Sequence, residues 1–396
     1  MIEPGPVITA VGMITPLGLD RDASLAGWRA GRGAVGSIER FDASAFPWPA
    51  AAEIRDFVPR KVLPDRKAIK LMSPPARLAV AAALDARRNA GDEAAEDAEA
   101  GGLFVAAGYE TIDLDSVLRM MAACRGEGDG HPIDVTRLWS DARYRMNPLN
   151  ALKILPNMAL AHVSIATGLR GANSAIGPHG AAGLQALADA NRAVASGEAP
   201  FALAGGSDSP VNVFMVSYFG AEGLLSRSGN CRPFEDGADG TVPGEAAAML
   251  WIESPARAAS RGATPLARLR GFGQAHRPGA YGPPRDPDAY LEAGRSALAN
   301  AGMVGGDIRR WVTDGWGVPE IDRSETAAAE RLFGDAVPTR RCGKGRYGHC
   351  FAAAGALEVA ISVAEPAGGP EMIWSAGVDG TVAAAVLEPL GEGGRP

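Results

Sequence analysis

Short apolar runs alternate with longer segments of helical character along the whole chain. The runs from Val7 to Met13 and from Phe201 to Ala204 have the length and composition of buried strands. Ser73, followed by two prolines, favours the start of an alanine-rich helix that reaches about Asn89, and Gly91 favours its end. This alternation predicts an α/β fold. The other predicted strands are Gly102 to Ala106, Leu266 to Gly271, Trp311 to Thr313, Glu371 to Ser375 and Val382 to Leu387, and the other predicted helices are Ala23 to Ala30, Ala181 to Ser196, Asp288 to Ala301 and Ala352 to Ala364.

The alternation starts again after a polar, arginine-rich passage that follows Glu253. Residues 1–255 and 256–396 are therefore predicted to form two similar halves. In the second half, Asp322 is predicted to cap a helix, and Glu325 three residues later is predicted to complete a capping box.

Composition excludes several classes of function. The chain has 396 residues, of which 46% are hydrophobic and 21% charged, and its net charge is −7. Its arginines are scattered, so a nucleic-acid or anionic-membrane partner is not expected. The N-terminus has no basic segment followed by a long apolar one, and no run of about 20 apolar residues occurs in the sequence. We expect a cytoplasmic protein.

The four cysteines are far apart in the sequence and form no C-x-x-C pair. This spacing fits reduced thiols better than a disulfide framework or a zinc site. Cys342, His349 and Cys350 suggest a metal at first, but adjacent His and Cys side chains on a turn point apart. We predict no metal and no cofactor.

Seven ordered stretches of the sequence match the pattern of one family. They are Val7 to Gly18, Phe41 to Phe46, Leu155 to Met158, Gly168 to Asn173, Ala204 to Asp208, Arg232 to Glu245 and Lys344 to His349. On these stretches the chain resembles the β-ketoacyl synthases of fatty-acid and polyketide synthesis, which belong to the thiolase-like superfamily. The resemblance covers almost the whole chain. It implies a five-layered αβαβα core of two fused halves, a dimer, and a site where strand ends from both halves meet.

The resemblance places the nucleophile of these enzymes at Gly180. Their mechanism needs a Cys thiolate at a helix N-terminus, where the helix dipole and backbone N–H groups lower the pKa of the thiol. The stretch from Gly177 to Gly183 contains no Cys or Ser. Acyl transfer through a covalent thioester is therefore predicted not to occur at this turn.

The first catalytic histidine of the family, in a His-Gly-Thr-x-Thr-Pro motif, corresponds to Asp314. A carboxylate there would repel the enolate that develops during decarboxylation. The two threonines of the motif, which hold the pantetheine arm in the family, correspond to Trp316 and Val318. We expect the indole to fill the channel that the arm would enter.

The second catalytic histidine is retained as His349, with Lys344 before it and Glu358 on the following helix. The resemblance implies a buried ion pair between Lys344 and Glu358. Two interpretations stay open: a residual acid/base centre, or a structural network. We favour the network, since an orphaned buried charge costs about 3–5 kcal/mol.

The glycine-rich gate of the family corresponds to Trp374 to Gly380. Its two aromatic residues are replaced by Ala376 and Val378, and Asp379 stands where a glycine should flex. Several requirements of the condensing reaction therefore fail together.

The leading hypothesis is a non-condensing subunit similar to the chain-length factors of type II polyketide synthases. It would pair with a Cys-containing ketosynthase as a heterodimer, wall the acyl tunnel of that partner and meet acyl carrier protein through it. The segment from Glu110 to Lys153 is the candidate contact with the partner; the alternative is a surface excursion without a partner role. Two other hypotheses are a homodimeric, Cys-independent acyl transferase or hydrolase that uses His349, and a module that binds acyl carrier protein only.

Overall fold

The computed structural model of the chain describes residues 5–108, 114–125, 133–140, 142–177, 179–277 and 282–390, without the side chains of residues 92 and 151. The strands are β1 (Val7–Ile14), β2 (Gly36–Ser37), β3 (Ala50–Ala51), β4 (Gly102–Ala107), β5 (Asn173–Ile176), β6 (Phe201–Asp208), β7 (Ala246–Glu253), β8 (Ala267–His276), β9 (Arg310–Val312), β10 (Thr339–Arg341), β11 (Glu371–Ala376) and β12 (Thr381–Pro389).

The α-helices are α1 (Arg21–Arg29), α2 (Pro59–Val62), α3 (Pro74–Ala90), α4 (Leu114–Ala123), α5 (Val135–Ser140), α6 (Asn150–Ile154), α7 (Met158–Thr167), α8 (Ala182–Ala195), α9 (Val213–Ala221), α10 (Pro255–Ser260), α11 (Asp288–Ala301), α12 (Pro319–Phe333), α13 (Lys344–Tyr347) and α14 (Ala354–Ala364). Short 3-10 turns lie at Ala68–Leu71, Asp92–Ala95, Ala98–Ala100, Ala142–Arg145, Gly305–Asp307 and Phe351–Ala353. The alternation confirms the predicted α/β class.

Ten strands of the described chain form one mixed sheet, in the order β10-β9-β11-β12-β8-β1-β7-β6-β4-β5. Strands β1 and β4 to β7 come from the first part of the chain, and β8 to β12 come from the second. The two sets meet where Ile8 pairs with Ala267, and the Leu266 N–H donates to the Ile8 carbonyl at 2.8 Å. The narrow contact at β1 and β8 divides the ten strands into two five-stranded layers.

Helices cover both outer faces and fill the space between these layers. α3 and α7 pack on the outer face of the first five strands, and α11 and α12 pack on the outer face of the second five. α8 and α14 lie in the central cluster, with apolar side chains from both sets of strands. Strand β1 shows the alternation that this requires, since Ala10 and Ile14 join the α3 cluster whereas Val11 and Met13 join the central one. This is the five-layered αβαβα core of two fused halves that the resemblance implied.

Helix α3 begins and ends as its sequence predicts. The Ser73 Oγ accepts a hydrogen bond from the Ala76 N–H at 3.3 Å, and the two prolines occupy the first helical positions, where no N–H is required. Gly91 follows the last helical residue with φ of 87°, a conformation that glycine adopts without strain.

The predicted capping box at Asp322 is wrong. Helix α12 begins three residues earlier, at Pro319, and its N-cap residue Val318 makes no side-chain cap. Asp322 and Glu325 are buried inside the helix and accept hydrogen bonds from the preceding loop. The spacing of a capping box is therefore present, but tertiary contacts use the two carboxyl groups elsewhere.

Within the ranges that the structure describes, no helix combines the length and the apolar character needed to cross a bilayer.

Candidate functional site

Gly180 lies in the buried turn between β5 and α8, one residue before the N-cap Ala181. Backbone from β11 and the following residue occupies the space above it. A Cβ atom built on Gly180 would lie 1.9 Å from the carbonyl oxygen of Ala376 and 3.2 Å from the Cα of Gly377. The Ser375 Oγ donates to the Gly180 carbonyl at 2.8 Å and ties the two segments together. The structure therefore leaves no room for a side chain at position 180.

A loop after β9 carries Asp314 and Trp316, and two carboxyl groups of α12 hold its backbone. Glu325 accepts from the N–H groups of Asp314 and Gly315 at 2.7 and 2.9 Å. Asp322 accepts from the N–H groups of Trp316 and Gly317 at 2.9 and 3.1 Å. These four hydrogen bonds fix the loop, and they explain why both acids are buried near the helix start.

Asp314 forms a buried ion pair with Lys344. The Lys344 Nζ lies 2.7 Å from the Asp314 Oδ1 and also donates to the Asp314 carbonyl oxygen, while the Trp316 Nε1 donates to the Asp314 Oδ2. Both side chains of the pair are at most 1% exposed. The negative charge of Asp314 is therefore balanced by Lys344 inside the protein.

The ion pair between Lys344 and Glu358 that the resemblance implied is not formed. The Glu358 carboxylate instead pairs with Arg341 at 3.0 Å and accepts from the Tyr347 hydroxyl. The reason is that Asp314 supplies a nearer carboxylate to the ammonium group, while Arg341 neutralises Glu358.

His349 is fully buried beside this pair. Its Nδ1 accepts from the Phe351 N–H at 3.0 Å, which places the proton of the neutral ring on Nε2. The Nε2 has no hydrogen-bond partner in the described part of the chain and lies 3.9 Å from the Asp314 Oδ1. Burial and the charge of Lys344 lower the pKa of His349 well below its usual range, so the imidazole is neutral at pH 7.

Burial also shifts the pKa values of the other charged groups at this site. Burial raises the pKa of Asp314, although Lys344 opposes this shift. Burial alone would lower the pKa of Lys344, but the Asp314 carboxylate outweighs it and raises the pKa. Burial and the neighbouring Asp314 raise the pKa of Glu325 to about 8. The centre therefore has one protonated lysine, and that lysine is held by Asp314.

Trp316 is the centre of an aromatic and aliphatic cluster. Its ring centroid lies 4.1 Å from that of His349 and 5.8 Å from that of Phe351. Val378 is buried in the same cluster, and the half-buried Val318 packs against it. The structure thus brings together three of the residues predicted to lie at the pantetheine channel, and the indole is inaccessible to solvent.

Asp379, the fourth residue predicted at the channel, is exposed and lies apart from this cluster. Its carboxylate accepts from the Thr381 N–H at 3.2 Å and from the Thr381 Oγ1 at 2.8 Å. These contacts close the turn between β11 and β12.

Phe351 was not singled out by the sequence. It has a φ of 39°, a left-handed conformation that is strained for a bulky residue, and its ring stacks on Phe219 at 4.1 Å between centroids. No sequence signal marks such a backbone conformation, because the neighbouring Cys350 and Ala352 are compatible with many structures.

In the ranges that the structure describes, no group of three or more His, Cys, Asp or Glu side chains is arranged to hold a metal ion. The four cysteines are free thiols.

Comparison with known proteins identifies the family. The sequence profile of the β-ketoacyl synthase N-terminal domain matches residues 6–258, and that of the C-terminal domain matches residues 266–365. The chain therefore belongs to the β-ketoacyl synthase family, whose members act in fatty-acid or polyketide synthesis.

Relatives and solved structures agree with this assignment. The chain is 31% identical over 379 residues to a 3-oxoacyl-[acyl-carrier-protein] synthase 2 of Coxiella burnetii, covering 90% of this chain and 84% of that protein. It is 30% identical over 366 residues to nodulation protein E of Rhizobium meliloti, covering 90% and 85%. A solved structure described as the ishigamide ketosynthase/chain length factor superposes with a TM-score of 0.85 at 24% identity, covering 98% of this chain and all of that one.

Proposed function

We propose that this chain is a non-condensing ketosynthase-like subunit, similar to a chain-length factor, that acts in the cytoplasm. It pairs with a Cys-bearing ketosynthase and shapes the acyl tunnel of that partner. The observation that carries the proposal is the Ala376 carbonyl, which occupies the space that a side chain at Gly180 would need. A condensing enzyme must keep that space open for its thiol and for the acyl group that the thiol carries.

The polar centre supports the same conclusion. Decarboxylation of a malonyl thioester needs hydrogen-bond donors aimed at the developing negative charge. Asp314 presents a carboxylate in place of one donor, and Lys344 is already paired with it. The remaining donor, the Nε2 of His349, lies among buried rings.

A Cys-independent acyl transferase or hydrolase with His349 as base has less support. A general base must reach the proton that it removes. The His349 ring is inaccessible to solvent and packs against Trp316 and Phe351.

The candidate partner surface lies on the helices between β4 and β5. Of the predicted segment from Glu110 to Lys153, residues 110–113, 126–132 and 141 lie outside the described residues. In the remainder, large apolar side chains are exposed, with Trp139 at 67% and Tyr144 at 73%. We define the apolar helical surface by these exposed residues: Leu118, Met121, Val135, Trp139, Tyr144, Leu149 and Ile165.

Helices α4 and α5 and the 3-10 turn Ala142–Arg145 contact one another, and each exposes large apolar side chains, which supports an interface on the apolar helical surface. We propose a ketosynthase as the partner, because the solved structure that superposes on this chain is described as a ketosynthase/chain length factor. We propose that acyl carrier protein reaches this chain through that partner. We propose that the chain consists of two halves, residues 1–255 and 256–396. The first half would then supply most of the contact with the partner.

The test is co-expression with a Cys-bearing ketosynthase encoded beside this chain, followed by size-exclusion chromatography with light scattering. We expect a 1:1 complex. Trp139→Asp should weaken the complex at least about 10-fold, as expected for an aromatic anchor. Val304→Asp is the matched control, because Val304 is equally exposed at 67% and lies between α11 and β9.

The proposal fails if the purified chain forms only homodimers beside the ketosynthase, or if any side chain becomes acylated by an activated acyl carrier. If Trp139→Asp and Val304→Asp weaken the complex equally, the apolar helical surface is not the interface with the partner. Mass spectrometry of the intact chain detects acylation directly.

A further inference from the structure

A cavity with unbalanced charge lies at the end of β6, against the first turn of α3. Its volume is about 120 Å³, and Arg40, Arg77, Ser209 and Glu245 supply its polar lining. A cavity of this size can hold several waters or one small tetrahedral ion. The Arg40 side chain is 42% exposed, so the cavity reaches the surface there.

The Glu245 carboxylate in this cavity already has three polar partners. Glu245 pairs with Arg40, whose Nη2 lies 2.6 Å from the Oε2, and accepts from the Ile54 N–H at 2.8 Å. The Ser209 Oγ donates to the Oε1 at 2.5 Å. Glu245 is therefore matched by Arg40 and is not free to neutralise a second cation.

Arg77 is that second cation. Its Nη2 donates to the Ile69 carbonyl at 3.2 Å, but its Nε is buried and has no hydrogen-bond partner among the described residues. No carboxylate of the described chain lies within ion-pair distance of it. Burial and the nearby charge of Arg40 lower the pKa of Arg77, which reflects the cost of holding this charge without a counter-ion.

We propose that this cavity binds an oxyanion of phosphate or sulfate size between the guanidinium groups of Arg77 and Arg40. The planar donor fork of arginine suits two oxygens of such an ion. The ion would supply the negative charge that the cavity lacks and would join the loop that carries Arg40 to helix α3. This inference does not rest on the proposed partner role, because it uses none of the residues at the Gly180 site.

The experiment titrates the full chain with inorganic phosphate and with sulfate by isothermal titration calorimetry, and measures Tm in parallel against sodium chloride of equal ionic strength. We expect one saturable site and a Tm rise of about 2 °C or more beyond the chloride control. Arg77→Met should weaken the affinity at least about 10-fold, because a charge-assisted hydrogen bond is lost. It should still fold, since methionine removes a partly buried charge that has no counter-ion among the described residues.

Arg66→Met is the matched control, because Arg66 is exposed on a nearby loop and does not line the cavity. An alkyl phosphate that binds as tightly as inorganic phosphate would assign the cavity to a phosphate group of a larger molecule; binding of inorganic phosphate alone would assign it to a free ion. If neither anion binds, or if Arg77→Met binds phosphate as the wild type does, the inference is overturned.

A second measurement needs no variant. Hydrogen–deuterium exchange of the wild type at peptides covering residues 54–78 should slow with phosphate and not with chloride. Unchanged exchange at saturating phosphate would contradict the inference even if Arg77→Met failed to fold.

Discussion

The two sides of the candidate site are closed in different ways. On the first side, the turn at Gly180 has no side chain, and the Ala376 carbonyl occupies the space above it. On the second side, Asp314 contributes a buried negative charge, and Lys344 balances it. The first feature is steric and involves no charge, whereas the second is electrostatic and involves a buried pair. The comparison teaches that a side chain at position 180 and a hydrogen-bond donor at position 314 would meet two different obstacles.

The largest expected effect comes from breaking the ion pair between Lys344 and Asp314. Lys344→Met leaves the Asp314 carboxylate buried without a partner, and we expect the free energy of unfolding to fall by about 3–5 kcal/mol. The double variant Lys344→Met/Asp314→Asn should recover most of this loss, because neither position of the pair then carries a charge. Urea unfolding measures both.

Arg331→Met is the control for that experiment. Its ion pair with Asp288 is as short, at 2.8 Å, but both side chains are at least half exposed. Such a pair contributes less than about 1 kcal/mol. A loss as large as that of Lys344→Met would contradict the importance of burial.

The next effect concerns pH. The pKa of Glu325 is about 8 in the folded chain and near 4.5 when unfolded. Between these values the folded state retains a proton that the unfolded state has released, so the stabilisation is complete below pH 4.5 and is lost as the pH rises to 8. We expect a fall on the order of a few kcal/mol in the free energy of unfolding.

Glu325→Gln should flatten that pH dependence, because glutamine does not titrate and can still accept a hydrogen bond from the 314–317 loop. Urea unfolding at several pH values between 4.5 and 8 compares the two proteins. Parallel curves would show that Glu325 is not the group responsible.

A smaller loss is expected from the steric side. Gly180→Cys places a side chain against the Ala376 carbonyl, and we expect a loss of about 1–3 kcal/mol from overpacking. We do not expect condensation by this variant, because Asp314, Trp316 and Val318 remain. Malonyl decarboxylation by this single variant would refute the account of the second side.

The smallest effect sharpens the boundary of the site. Asp379 is exposed, and the hydrogen bonds of its carboxylate with Thr381 close the turn between β11 and β12. Asp379→Gly should therefore change the free energy of unfolding by less than about 0.5 kcal/mol. A change above 2 kcal/mol, measured by the same urea unfolding, would place Asp379 in the buried centre after all.

Much of the fold could be predicted from local pattern. The bounds of α3 followed from Ser73, the prolines and Gly91, since capping and glycine geometry act within one helical turn. The start of α12 could not be predicted in this way. The spacing of Asp322 and Glu325 is the same whether they bond their own helix or a preceding loop, and only the packed structure decides between the two.

The amino-acid sequence alone determined the α/β class, the β-ketoacyl synthase resemblance and the absence of Cys and Ser from residues 177–183, because each depends on the order of residues along the chain. The tertiary structure decided which acid holds Lys344, where the proton of His349 lies and what fills the space above Gly180. These depend on contacts between segments far apart in the chain, such as Ser375 with Gly180. Pairing and burial set the energy of a charged group, and both exist only once those segments pack.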